Sequence, residues 1–529
     1  MCSSARIAQF RILNTKNEVP TQTHTRMADP LFPWLNARAA GVLLHPTSLP
    51  GATGIGTLGH EARRFIDFLV AAELKYWQVC PLGPTGFGDS PYQCFSAFAG
   101  NPYLIDLETL LEHGFLEAHD LDPLRTLPSS YVDYGSQWEL RWSILNKSYR
   151  AFVRDASPDE HNAFAEFKKS HKKWLESYTH FIALKIKFGG RSWQLWPDEF
   201  RHHENARQLI KKEGLIDEAD AQAWYQFQFF NQWLRLKLYA NTHGVSIFGD
   251  IPIFVAMDSA DVWTRPTLFQ MDENLRATGV AGVPPDYFAE DGQLWGNPLY
   301  EWKRHKSSRY AWWLSRIRAS FELYDVVRID HFRGFDAYCR IPADAINARE
   351  YEWTAGPGLD LFKAIHAHFP DAKFVAEDLG IITDSVRALV EATGAPGMKV
   401  LHFGLEGAKE YLPHNTVPNS VLYPGTHDND TTLGWYRHQP GSTKDFVRRY
   451  LRVSGEDISW DLIRAGYGSA SRLFIAPLQD LLGLGSEGRM NIPGKASGNW
   501  RWRVTAEQLE TLRSKIAPCL RELAALYDR

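Results

Sequence analysis

The run Val326-Val-Arg-Ile-Asp330 decides the fold. Three β-branched apolar residues, one buried-side arginine and a terminal acid fit a short strand covered on both faces, the kind that builds parallel sheets. Seven comparable runs flank it. Gly41–His45, Tyr76–Pro81 and Ser246–Ile251 precede it, and Phe374–Glu377, Met398–Phe403, Val421–Pro424 and Leu473–Pro477 follow. Between runs, Glu61–Val70 and Asp384–Val390 carry apolar residues at helical spacing. Strand alternating with helix predicts a parallel sheet, and eight such units predict a closed (β/α)8 barrel with large, mainly helical insertions.

Two gaps exceed ordinary connections. The insertions are expected at about residues 104–243 and 255–321 of a barrel spanning 37–529, with residues 1–36 a leader outside the fold. Trp138–Phe152 and Trp224–Leu238 read as helices of the first insertion. Gly279–Phe288 and Gly292–Pro298, dense in glycine and proline, read as an irregular loop over the barrel mouth.

A net charge of −4 gives no general attraction for nucleic acid or an anionic membrane, and no apolar stretch reaches the length of a span. The five cysteines are scattered without a zinc or redox spacing, which points to reduced thiols and a cytoplasmic address. Residues 1–26 hold four basic residues against one acid, so a transit segment would instead send the chain to a plastid. Gly83–Gly88 lacks the lysine of a phosphate loop, and His202-His203-Glu204 lacks the spacing of a zinc helix, so a turn and a surface helix are expected there.

The chemistry lies in acids at strand ends. Asp330 and Glu377 close two of the runs, and Asp428 follows a third in Val421-Leu-Tyr-Pro-Gly-Thr-His-Asp428. Strand ends of such a barrel converge on one face, where active sites lie. Paired carboxylates in a concave site cleave glycosidic bonds, one as nucleophile and one as acid then base. Arg328, two residues before Asp330, shares its strand face and is expected to hold it ionised and oriented. Nineteen Trp, 21 Tyr and 30 Phe supply flat rings for sugar faces, although most must serve the core.

Taken with their neighbours, these residues resemble a known family. Arg328-Ile-Asp-His-Phe-Arg-Gly-Phe335, Ala376-Glu-Asp-Leu-Gly380 and Gly425-Thr-His-Asp-Asn-Asp430 look like the three acid motifs of the amylase-like clan. Gly41-Val-Leu-Leu-His-Pro-Thr-Ser-Leu-Pro-Gly51, Gly88-Asp-Ser-Pro-Tyr-Gln93, Gly100-Asn-Pro-Tyr103, Gly249-Asp-Ile-Pro-Ile253, Pro284-Pro-Asp-Tyr-Phe288, Trp295-Gly-Asn-Pro298 and Gly488-Arg-Met-Asn-Ile-Pro493 narrow it to the 4-α-glucanotransferases of glycoside hydrolase family 77. The resemblance covers residue 40 onward.

It implies transfer of α-1,4-glucan segments between maltooligosaccharides, with no metal and no organic cofactor. Asp330 is implied as nucleophile, Glu377 as acid/base and Asp428 as transition-state stabiliser. His331 and His427 are implied to bond the donor sugar, Tyr92 to offer a stacking face, and Asp286 and Trp295 to line or close the cleft. An amylase-type hydrolase with the same acids is the nearest rival, and a non-catalytic glucan-binding barrel is the rival from another class.

Overall fold

A computed structural model describes residues 29–285 and 290–529. Its strands are β1 (Ala39–Leu43), β2 (Tyr76–Gln78), β3 (Ser246–Pro252), β4 (Gly279–Val283), β5 (Gln293–Pro298), β6 (Val326–Asp330), β7 (Ala337–Pro342), β8 (Glu352–Ala355), β9 (Phe374–Ala376), β10 (Gly397–Val400), β11 (Ser420–Tyr423) and β12 (Leu473–Pro477). Eight of them, in the order β1-β2-β3-β6-β9-β10-β11-β12, close into a parallel barrel as β12 pairs back on β1. The protein is a (β/α)8 barrel.

Period-two alternation sorts the side chains. On β6, Val326 joins the interior cluster with Phe248, Val375, Val421 and Leu473, while Val327 and Ile329 face the surrounding helices. Arg328 and Asp330 continue the Val326 face, so the same alternation that fills the barrel brings charge to its upper end. Register does the rest. β3 and β6 pair Asp250 with Arg328 and Pro252 with Asp330, and β6 and β9 pair Ile329 with Ala376. The rung above that last pair carries Asp330 and Glu377.

The expected helical stretches of the first gap lie within Tyr134–Asp155 and Ile216–Thr242. Helix Ile216–Thr242 buries Trp224, Phe229 and Trp233, and Trp233 Nε1 donates to Leu323 O at 2.9 Å. Two of its glutamines substitute for a partner strand. Gln226 exchanges hydrogen bonds with both backbone groups of Gly100, and Gln232 does the same for Asp106. A loop that would otherwise bury unpaired amides is thereby satisfied.

Three expectations need correction. Met398–Phe403 is strand only to Val400, and Leu401–Glu406 is helical; an apolar run does not distinguish a strand end from a buried helix start. The segment read as an irregular loop contains β4 and β5, which pair antiparallel in a second sheet of order β5-β4-β7-β8. Glycine at 282 lets β5 approach, since a Cβ there would meet Gln293 O. Finally, residues 29–36 belong to the fold: Phe32 and Leu35 are buried, and Phe32 N donates to Thr393 O at 2.7 Å. The transit-like residues 1–26, and the choice of address that rests on them, lie outside the described residues. No described helix is long and apolar enough to cross a membrane.

Close packing beneath the site yields a stability prediction. A Cβ on Gly249 would overlap the ring of Tyr324, a buried residue whose hydroxyl accepts from Leu82 N at 3.2 Å. Gly249→Ala is therefore expected to cost about 1–3 kcal/mol by overpacking. A thermal melt within 1 °C of the parent would contradict it.

Candidate active site

Arg328 organises the site. Its side chain is 4% exposed, and it donates to Asp250 Oδ2 at 2.6 Å and to Asp330 Oδ1 at 2.8 Å. Burial opposes its charge, but Asp250 and Asp330 outweigh that and raise its pKa further. Asp250 also accepts from Tyr92 Oη at 2.7 Å. Its side chain is only 1% exposed, against 27% for Asp330, so of the two acids on this guanidinium Asp330 alone opens to the cleft.

Glu377 sits in a different environment. Its Oε2 accepts from His331 N at 2.7 Å and its Oε1 from Leu379 N at 3.0 Å. The first bond depends on His331 adopting φ 51°, a left-handed conformation uncommon for a bulky side chain. That kink, directly after Asp330, turns the amide onto Glu377. Burial pushes Glu377 up to about 7, and the Asp330 anion adds to the shift. Burial also raises Asp330, with Arg328 pulling the other way and Asp250 and Asp428 reinforcing the rise, to about 6. The expectation that Arg328 holds Asp330 ionised therefore needs a qualification of sign: the guanidinium offsets burial without overcoming it.

Asp428 differs again. Burial would raise its carboxyl, but His427 and a hydrogen bond from Asn491 hold it well below the ordinary range. His427 Nε2 lies 3.3 Å from Asp428 Oδ2, and Asn491 Nδ2 donates to Oδ1 at 2.7 Å. Arg489 donates to Asp428 O at 2.9 Å and to Asn491 O at 2.8 Å, tying the two loops together. His427 is buried, stacked on Tyr92 at 5.2 Å with an interplanar angle of 18°, and leans on Trp500. Tyr92 is thus held at its hydroxyl by Asp250 and on one ring face by His427.

His331 is buried among residues that hold it neutral, its pKa lowered by burial to about 3, and its Nε2 has no hydrogen-bond partner among the described residues. Trp295, on β5, stands edge-on to that ring at 4.9 Å. Asp286 lies outside the described residues. Sequence reasoning missed three contributors. Asp250 carried the same strand-end signal as the other acids, whereas Asn491 and Arg489 sit in a loop whose position only tertiary contacts define.

Acids of three distinct environments, gathered with aromatic rings at the strand ends of a (β/α)8 barrel, mark the class of barrel enzymes that act on glycosidic bonds. The family model described as 4-alpha-glucanotransferase, glycoside hydrolase family 77, matches residues 44–509. The chain belongs to that family. A 4-alpha-glucanotransferase of Thermus thermophilus is 49% identical over 482 residues, covering 89% of this chain and 96% of that protein. The Arabidopsis thaliana protein named 4-alpha-glucanotransferase DPE1, chloroplastic/amyloplastic, is 41% identical over 93% of this chain and 86% of its own length. Among solved structures, amylomaltase from Streptococcus agalactiae in complex with acarbose superposes with a TM-score of 0.89 at 39% identity, covering 93% of this chain and 99% of that one.

Proposed function

We infer that this chain moves α-1,4-glucan segments from a maltooligosaccharide donor to the 4-hydroxyl of an acceptor glucan or glucose by a retaining double displacement. The observation that carries the mechanism is the contrast between neighbouring carboxyls. Asp330 is bonded to a guanidinium and opens to the cleft, whereas Glu377 is bonded, among the described residues, to two backbone amides alone. Both carboxyls are raised by burial, but the guanidinium leaves Asp330 the more readily ionised of the two and Glu377 the one that keeps a proton.

Asp330 attacks the anomeric carbon, forming a glycosyl ester as the bond to the leaving O4 breaks. Glu377 gives its proton to that O4. It then takes the proton of an acceptor 4-hydroxyl, whose oxygen displaces Asp330 and restores the α configuration. Asp428, ionised at any working pH, and Asp250 leave the pocket short of positive charge, and this stabilises the oxocarbenium-like transition state. His331 Nε2 and the His427–Asp428 pair address sugar hydroxyls, Tyr92 supplies a ring face, and Trp295 lines the approach. No step calls for a metal or cofactor.

Incubation with maltotriose alone tests the reading. Longer maltooligosaccharides and glucose, at constant total reducing ends, are expected. Rising reducing ends with only shorter products would make the protein a hydrolase, and no change in the sugar would leave a binding barrel.

The paired carboxyls also set a pH dependence. Asp330 must be ionised, so kcat/KM falls as pH drops through about 6; Glu377 must be protonated, so it falls as pH rises through about 7. A narrow bell belonging to the pair is expected. A profile flat between pH 5 and 8.5 would contradict these environments.

A further inference from the structure

The second sheet carries a tryptophan on each edge strand, Trp295 on β5 and Trp353 on β8, and the mechanism uses only the first. Trp353 is tied to the site through Arg333. The Arg333 guanidinium lies over the Trp353 ring at 3.9 Å, and its Nη1 donates to Ile381 O at 2.6 Å. Arg333 itself is 6% exposed and follows Asp330 by three residues; Ile381 follows Glu377 by four. One buried cation therefore locks the β8 edge to the loop that continues from Glu377.

What this clamp presents is apolar and open. Trp353 is 38% exposed, Tyr351 44% and Ile381 54%, and the Tyr351 and Trp353 rings meet edge-to-face at 6.1 Å. Exposed aromatics on a free edge strand normally invite aggregation, so a fixed pair at this place calls for an occupant. Its position names one. Glu377 protonates the leaving oxygen, hence departing and incoming glucan both lie on the Glu377 side of the cleft. The Arg333–Ile381 link makes Trp353 continuous with the loop that runs on from Glu377.

We propose that Trp353 and Ile381 form an acceptor platform, on which glucose units beyond the first acceptor sugar lay their apolar faces. This rests on the transfer reading above. Ordering by Arg333 means that little freedom is lost when a glucan docks. Trp353 is a specificity-determining residue here, remote from the broken bond, and its effect scales with acceptor length.

The test measures transfer from one fixed donor to glucose and to maltotetraose as alternative acceptors, with the parent enzyme run first. A parent that only hydrolyses would refute the transfer reading itself, and the platform with it. Given transfer, Trp353→Ala is expected to lose about tenfold in kcat/KM for maltotetraose as acceptor and less than twofold for glucose, with donor hydrolysis unchanged. Trp353→Phe should recover most of the loss. Ile381→Ser, at an exposed position, should lower maltotetraose use by about threefold without moving the melting temperature, and it decides the matter if Trp353→Ala does not fold. Equal losses for both acceptors would mean a merely structural role for Trp353, and unchanged maltotetraose kinetics in folded Trp353→Ala, or in Ile381→Ser if that variant stands alone, would overturn the platform.

Discussion

Asp330→Asn is expected to lower glucan transfer by at least about four orders of magnitude while leaving maltooligosaccharide affinity within a few fold. The amide has the shape of the carboxylate and still accepts from Arg328, but it is far too weak a nucleophile to form the glycosyl ester. The fold should tolerate the change, because Arg328 keeps its shorter bond to Asp250 and no cation is left buried alone. The prediction separates two acids that share one guanidinium. Asp250, 1% exposed, has no path to the anomeric carbon, so the whole loss must fall on position 330. Initial rates on maltotriose, with titration calorimetry for binding, check both halves. Residual transfer above about 1% of the parent, larger than nucleophile loss permits, would sink the assignment.

The legibility of this protein in its sequence divides along a physical line. Val326–Asp330 and Leu473–Pro477 have the same bounds as runs of residues and as strands, because a strand covered on both faces is apolar nearly throughout, broken in the first only by the interior Arg328 and the terminal Asp330. Three acids were readable for a related reason: Asp330 and Glu377 close such runs and Asp428 follows one within a short turn, which brings all three to the mouth of the barrel. The second sheet was not. Its glycines looked like loop punctuation, and one of them, Gly282, serves the close approach of β5 and sits at a register shift after Val280. β7, Ala337–Pro342, is interrupted by Arg340, and the exposed edge β8 sets Trp353 between Glu352 and Thr354. Partners at long sequence distance were equally hidden. Asn491 reaches Asp428 only because Arg489 staples their loops and Trp500 N donates to Met490 O at 2.8 Å. The Arg328–Asp250 pair depends on register between β3 and β6, which no local pattern encodes.

The acid/base assignment makes the sharper demand, because it predicts different losses for different substrates. Glu377→Gln would press an amide NH2 against either His331 N–H or Leu379 N–H, both of which donate to this side chain, and would add a misfit of about 1–3 kcal/mol. Glu377→Ala avoids that conflict and opens room at the cleft. With maltotriose the alanine variant should lose about 10³-fold, the usual reach of a positioned acid and base. A glucosyl fluoride donor needs no proton on its leaving group, so its first step should be nearly spared and the glycosyl ester on Asp330 should accumulate. The second step then stalls, since no base takes the acceptor proton. Azide carries no such proton. Added at high concentration, it should restore turnover of the fluoride by about a hundredfold, again within the range of base catalysis, and give α-glucosyl azide as the retained product. Equal losses in the ester-forming step from maltotriose and from the fluoride, or a fluoride reaction indifferent to azide, would remove Glu377 from proton transfer and leave its two backbone bonds as its function. The β-azide would point elsewhere, to direct displacement at the sugar with no ester on Asp330, and would overturn the double displacement as a whole.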